Sequence, residues 1–179
     1  MKLIAISGSL RAGSSNTAVL RAAARLAPAN VSITLFDEIA DLPFFNPDLD
    51  GEQVPAPVGV LRAAIGNADG ILISSPEYAR GVSGVMKNAL DWLVGSLEFP
   101  GKPVALINTS PRATHALAAL TLTLETMSAR LVTSACLTLP LLGTPSNEDS
   151  ILADDSLAQP LRDAMARFAA EIASPEQAG

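Results

Sequence analysis

Short apolar runs alternate with longer stretches of helical period along the chain. Leu3-Ile4-Ala5-Ile6, inside residues 2–7, predicts a buried first strand. Over residues 17–27, Val19, Ala22, Ala23 and Leu26 recur at i, i+3, i+4 and i+7, the period of a helix, which Pro28 stops. Residues 31–36 predict a second strand. Residues 37–57 hold four prolines and little period, so they read as a long surface excursion, a kind of segment that is often functional. A helix over 58–67 would bury Val58, Leu61 and Ile65, and Asp69-Gly70 turns the chain into a third strand, 71–74. The helix predicted over 85–94 presents Val85, Met86, Ala89, Leu90 and Leu93, and residues 103–108 form a fourth strand. Leu117, Leu120, Leu124, Met127 and Leu131 fall in register over a helix at 113–130, and 132–139 reads as a fifth strand. The last helix, 157–173, would bury Leu161, Ala164, Phe168 and Ile172. It starts either with Ser156 and Gln159 as a capping box or with Pro160 at its first position. Residues 175–179 read as a frayed tail.

This alternation is that of a parallel sheet with helices on both faces, and right-handed crossovers make it doubly wound. A chain of 179 residues with 49% hydrophobic positions fits one domain, 1–174, hiding roughly 70% of its unfolded surface. In such sheets ligands bind beyond the carboxyl ends of the strands, at the switch point. The loops 8–16, 75–84 and 108–114 are therefore expected to hold the function. A net charge of -6, only three lysines and 4% aromatic residues argue against a nucleic-acid binder. One cysteine and one histidine exclude a disulfide framework, a multi-cysteine cluster and a histidine-rich metal centre. No run approaches the ~18 apolar residues of a membrane span. Ser7-Gly8-Ser9 breaks the apolar start too early for a signal peptide, so a cytoplasmic location is expected.

The first loop, Ser7-Gly8-Ser9-Leu10-Arg11-Ala12-Gly13-Ser14-Ser15-Asn16-Thr17, runs from a strand directly into a helix. Unpaired N–H groups, hydroxyls and the positive end of the helix dipole make such a loop an anion cradle. Arg11 adds a cation suited to phosphate. No Lys-Ser/Thr pair follows the second glycine, so this is not a nucleotide-hydrolysing P-loop, and the glycine spacing misses the dinucleotide fingerprint. The alternative is a plain turn capped by Ser15 or Asn16. The loop after the third strand, Ser74 through Gly84, carries Pro76-Glu77-Tyr78-Ala79-Arg80 and the chain's single tyrosine.

Gly8-Ser9-Leu10-Arg11 with Gly13-Ser14-Ser15-Asn16, then Pro76-Glu77-Tyr78 and Lys87-Asn88-Ala89-Leu90-Asp91-Trp92-Leu93, resembles the NADPH-dependent FMN reductase family, which includes flavin, quinone, azo-dye and chromate reductases. The resemblance implies a three-layer flavodoxin-like α/β fold with strand order 2-1-3-4-5. It implies bound FMN, NADPH (or NADH) as co-substrate and a small-molecule electron acceptor. It places Ser9, Arg11, Ser14, Ser15, Asn16 and Thr17 around the FMN phosphate. Pro76, Glu77, Tyr78 and Ala79 would border the ring system, largely through backbone atoms, and Ser110 would close its third side. The flavin carries the chemistry, so no catalytic side chain and no metal is called for.

Two departures stand out: Ala79 where relatives often have Asn after Pro-Glu-Tyr, and Ser83-Gly84 where they often have Pro-Gly before the helix. Arg80 would hold a nicotinamide phosphate or an anionic acceptor, or is a solvated loop residue. His115 and Cys136 read as structural, and Asp154-Asp155 as helix-start charge. Trp92 is core or subunit contact, with the contact favoured because relatives are usually dimers; a homodimer or homotetramer is expected. The alternative function is a flavodoxin-type electron carrier. The moderate net charge and a single tyrosine in the flavin loops argue against it. A flavin-free binding module would leave the phosphate loop unexplained.

Overall fold

The computed structural model describes residues 1–51, 54–141 and 147–174, so the tail from 175 onward lies outside it. In chain order the first half contains β1 (Lys2–Ser7), α1 (Ser15–Leu26), β2 (Ser32–Leu35), α2 (Ala56–Gly66), β3 (Gly70–Ser74), β4 (Glu77–Tyr78), β5 (Gly81–Val82) and α3 (Gly84–Val94). The second half contains β6 (Pro103–Asn108), α4 (Thr114–Thr126), β7 (Arg130–Leu131), β8 (Leu137–Thr138), α5 (Glu148–Ala153) and α6 (Asp155–Ala173). The main sheet runs β2-β1-β3-β6-β7, with β8 also on β6, all parallel. That is the expected order 2-1-3-4-5, with the fifth strand split in two.

Alternation along each strand sorts the core onto two faces. Leu3, Ala5, Leu72, Ala105 and Ile107 meet Val19, Leu20, Ala23, Leu161 and Phe168 of α1 and α6. Ile4, Ile6, Ile71, Ile73 and Leu106 meet Val58, Leu61, Ile65, Leu90 and Leu124 of α2, α3 and α4. Neither face is left to solvent, which is why β1, β3 and β6 read as continuous apolar runs.

Several elements differ from the sequence pattern, each for a local reason. The helix expected over 113–130 ends at Thr126. Ser128 adopts the left-handed conformation (φ 62°), with Ala129 N–H donating to Leu124 O (2.9 Å) and Ser128 N–H to Glu125 O (2.9 Å), a Schellman stop built without glycine. Leu131 therefore belongs to β7, not to the helical stripe. The fifth strand is interrupted because, between the pairings Val104↔Leu131 and Ile107↔Leu137, the outer chain has three more residues than β6. A short 3-10 turn, Thr133–Ala135, absorbs them, and Leu106 N–H donates instead to Cys136 Sγ (3.3 Å). The last helix follows neither expected start. Asp154 caps it, accepting from Ser156 N–H (2.9 Å), and Pro160 lies within it. α5, which the sequence pattern does not predict, is capped reciprocally by Asn147 and Ser150.

The excursion at 37–57 is less of a surface loop than its prolines suggest. It contains two 3-10 turns, Asp37–Asp41 and Pro47–Leu49, and buries Ile39 and Leu42. Pro43 O accepts from Trp92 Nε1 (2.8 Å) and from Asn88 Nδ2 (3.0 Å), while Phe45 stacks edge-on against Trp92. Trp92 is 0% exposed. It is core, and the subunit-contact reading of it is corrected.

The segment 75–84, read as a loop, folds back as an antiparallel hairpin, with Glu77↔Val82 and Tyr78↔Gly81 paired. Its two-residue turn sets Ala79 and Arg80 at φ 50° and 59°, the positive pair that a type I′ turn demands and that Asn-Gly normally supplies. The frequent Asn of relatives thus suits the backbone, and no side-chain contact is needed to account for it. Ala79→Asn is expected to raise the unfolding midpoint by about 2–4 °C, the equivalent of ~1 kcal/mol of relieved strain. A thermal melt checks it; an unchanged midpoint would contradict the strain assignment.

Candidate functional site

β1, β3 and β6 end level with one another, and the loops that leave them converge. Ser7 is in register with Ser74, and Gly8 N–H donates to Ser74 O (2.8 Å). The first and second loops touch so closely at Gly8 that a Cβ there would lie 2.3 Å from Ser75 Oγ, 2.8 Å from Ser75 Cβ and 2.8 Å from Ser83 Oγ. Gly8 is therefore required by space.

α1 begins at Ser15, two residues before the start expected. Ser14 is its cap, accepting from Thr17 N–H (3.4 Å), so neither Ser15 nor Asn16 has that role. Asn16, in the first turn, is buried and joins all three loops: its Oδ1 accepts from Ser74 Oγ (2.9 Å) and from Thr109 Oγ1 (3.3 Å). With both hydroxyls aimed at its oxygen, the amide nitrogen is the donor left for the cleft that Asn16 lines. The third loop is braced by its own side chains. Asn108 Nδ2 donates to Ser110 O (2.7 Å), and Arg112 N–H donates to Ser110 Oγ (3.2 Å).

Between these loops lies a cleft of about 420 Å3. That is within the roughly 300–1,000 Å3 of small-molecule and cofactor sites. Ser9, Arg11, Ser14, Ser15 and Asn16 line one end; Pro76, Glu77 and Tyr78 line one wall, and Ser110 the other. Two expected residues stand outside. Thr17 points behind the loop, its Oγ1 2.9 Å from Ser7 Oγ, and Ser7 Oγ accepts from Ser9 N–H (3.3 Å). Ala79 sits at the hairpin turn. Conversely, Ser75, Asn108, Thr109, Arg112, Ala113 and Leu141 also line the cleft. All but Leu141 fall within the loops picked out by topology. Leu141 reaches the site because its N–H donates to Thr109 O (3.1 Å), a placement that depends on the split fifth strand.

The cleft thus pairs a polar, cationic end at a helix start with a slot walled by Pro76, Tyr78, Ala113 and Leu141. The first can bind an anion and the second a flat uncharged body. Arg80 lies beyond the cleft at the turn, and His115 is exposed on the first turn of α4. Cys136 is half-buried on the far side of β6, where burial pushes its thiol pKa up.

The sequence model described as NADPH-dependent FMN reductase matches residues 1–140. The NAD(P)H-dependent FMN reductase PA1204 of Pseudomonas aeruginosa is 42% identical over 112 residues, 62% of this chain and 60% of that protein. The quinone reductase of Escherichia coli K12 is 42% identical over 113 residues, again 62% and 60%. The chain thus spans about 60% of the length of these curated relatives. Among solved structures, the flavoenzyme NAD(P)H:(acceptor) oxidoreductase FerB of Paracoccus denitrificans superposes with a TM-score of 0.81 at 28% identity, over 96% of this chain and 97% of that one.

Proposed function

This chain belongs to the NADPH-dependent FMN reductase family, and from that premise we propose that its cleft holds FMN and that the protein is an NAD(P)H-dependent oxidoreductase acting on a small acceptor. The observation that carries the reading is the union, in one cleft of about 420 Å3, of an anion cradle at the start of α1 with a wall of Pro76, Glu77 and Tyr78.

Ser9, Ser14 and Ser15, the amide of Asn16, the first-turn N–H groups and Arg11 would hold the phosphate. Pro76, Glu77, Tyr78 and Ser110 would border the ring. Thr17 acts from behind, through Ser7, and Ala79 through the shape of the turn. FMN held there would supply the redox chemistry, two-electron transfer from a reduced nicotinamide to a quinone, flavin, azo compound or metal oxyanion. The protein's share would be to hold and orient the ring between the second and third loops and to leave one face open to reductant and acceptor. Quinones are the favoured acceptors, because the relatives include quinone reductases.

NADPH and NADH are both admitted by this reading. Association of copies into a dimer or tetramer would cover the large apolar side chains of Phe44 and Leu97, which are 89% and 94% exposed. The cytoplasm, where reduced nicotinamides are abundant, is the expected compartment.

A fluorescence titration tests the cofactor directly. FMN emission is expected to quench on addition of the protein, saturating at one FMN per chain. Emission that falls only through dilution would contradict the proposal.

A further inference from the structure

The side chain of Glu77 does something that neither the cradle nor the ring accounts for. Its Oε2 accepts from Ala116 N–H (2.9 Å), in the first turn of α4. That helix has no cap of its own, since Ala113 occupies the cap position and offers no acceptor. A carboxylate from another element therefore does there what an N-cap side chain normally does, at the end of the helix where negative charge is favoured.

The bond also has a geometric consequence. Glu77 begins the β4–β5 hairpin, which carries Tyr78 and packs along α4, the helix that Ser110 and Arg112 lead into. The foot of the hairpin is held by Ser75 Oγ and Ser83 Oγ, 3.2 Å apart, and its ladder by Tyr78↔Gly81. Those ties lie within the second loop. The Glu77–Ala116 bond crosses to α4, the helix into which the third loop runs.

We infer that Glu77 is a positioning residue whose carboxylate ties the hairpin to α4 and thereby sets the width of the cleft, so that it selects acceptors by size. The inference rests on the oxidoreductase reading for its acceptors, but not for the coupling itself.

The test compares Glu77→Ala and Glu77→Gln with the parent protein. Amide hydrogen exchange in the flavin-free protein reads the coupling. Loss of the cap is expected to speed exchange by about fivefold or more both at Ala116 and at the hairpin amides. Glutamine, whose carbonyl can still accept from Ala116, should restore most of the protection. In the FMN-loaded protein the readout is the ratio of kcat/KM for naphthoquinone to that for benzoquinone. Glu77→Ala should raise this ratio by about fivefold, the same ~1 kcal/mol seen as lost discrimination. Glu77→Gln should return it towards the parent value, a split that a purely structural defect would not produce. Faster exchange confined to Ala116, with the hairpin and the ratio unmoved, would reduce Glu77 to a helix cap and overturn the inference. If the parent takes up no FMN, the oxidoreductase reading fails while the exchange measurement still decides the coupling.

Discussion

Asn16→Asp is expected to leave the protein folded and to abolish most of its affinity for FMN. Ser74 and Thr109 can donate to a carboxylate oxygen as they do to the amide oxygen, so the link among the three loops survives. What changes is the atom presented to the cleft, where a donor becomes an anion facing the ligand's phosphate. Two like charges ~4 Å apart near a protein surface repel by about 4 kcal/mol, so affinity should fall by at least about 100-fold. FMN titration at low salt reads the loss, and a thermal melt within a few degrees of the parent establishes that the fold is intact. Retained affinity would mean that Asn16 does not face the phosphate.

The second large effect is expected at Gly8. A methyl group there meets Ser75 Oγ at 2.3 Å and Ser75 Cβ at 2.8 Å. The hydroxyl can rotate away, but the Cβ cannot, so the first loop must move off the second. Overpacking of this kind costs about 1–3 kcal/mol, lowering the unfolding midpoint by roughly 2–12 °C. The displaced loop is the phosphate cradle, and a shift of ~1 Å at a binding site can cost about 100-fold in function. Gly8→Ala should therefore lose FMN affinity out of proportion to stability. Ser75→Gly in the same chain should recover part of both, because it removes two of the three clashing atoms. Gly8→Ala with parental affinity would contradict the close contact.

Much of this was legible in the residues. Strands buried on both faces read as unbroken apolar runs, so β1, β3 and β6 and the loops at their ends could be placed closely. The cradle was legible because its chemistry is local: Ser9, Arg11, Ser14 and Ser15 lie within one short stretch. What stayed hidden depends on tertiary geometry. The fifth strand reads as continuous, yet its length exceeds what β6 can pair, and only the register reveals the surplus. Ser128 stops α4 without the glycine that would have announced it. Trp92 reads as a contact residue because related reductases are usually dimers, and what buries it instead, the Pro43 carbonyl and Phe45, comes from a segment without period. Glu77 and Asn16 were named as site residues, but their bonds to Ala116, Ser74 and Thr109 link positions far apart in the chain.

The most direct measurement is the visible absorbance of the FMN-loaded protein, followed without oxygen as NADPH is added. Prompt bleaching of the oxidised flavin band, restored on adding benzoquinone, is the result predicted for a cleft that binds the flavin and leaves one face open. A band that persists in the presence of NADPH, or a protein that emerges from FMN loading without a band, would contradict it.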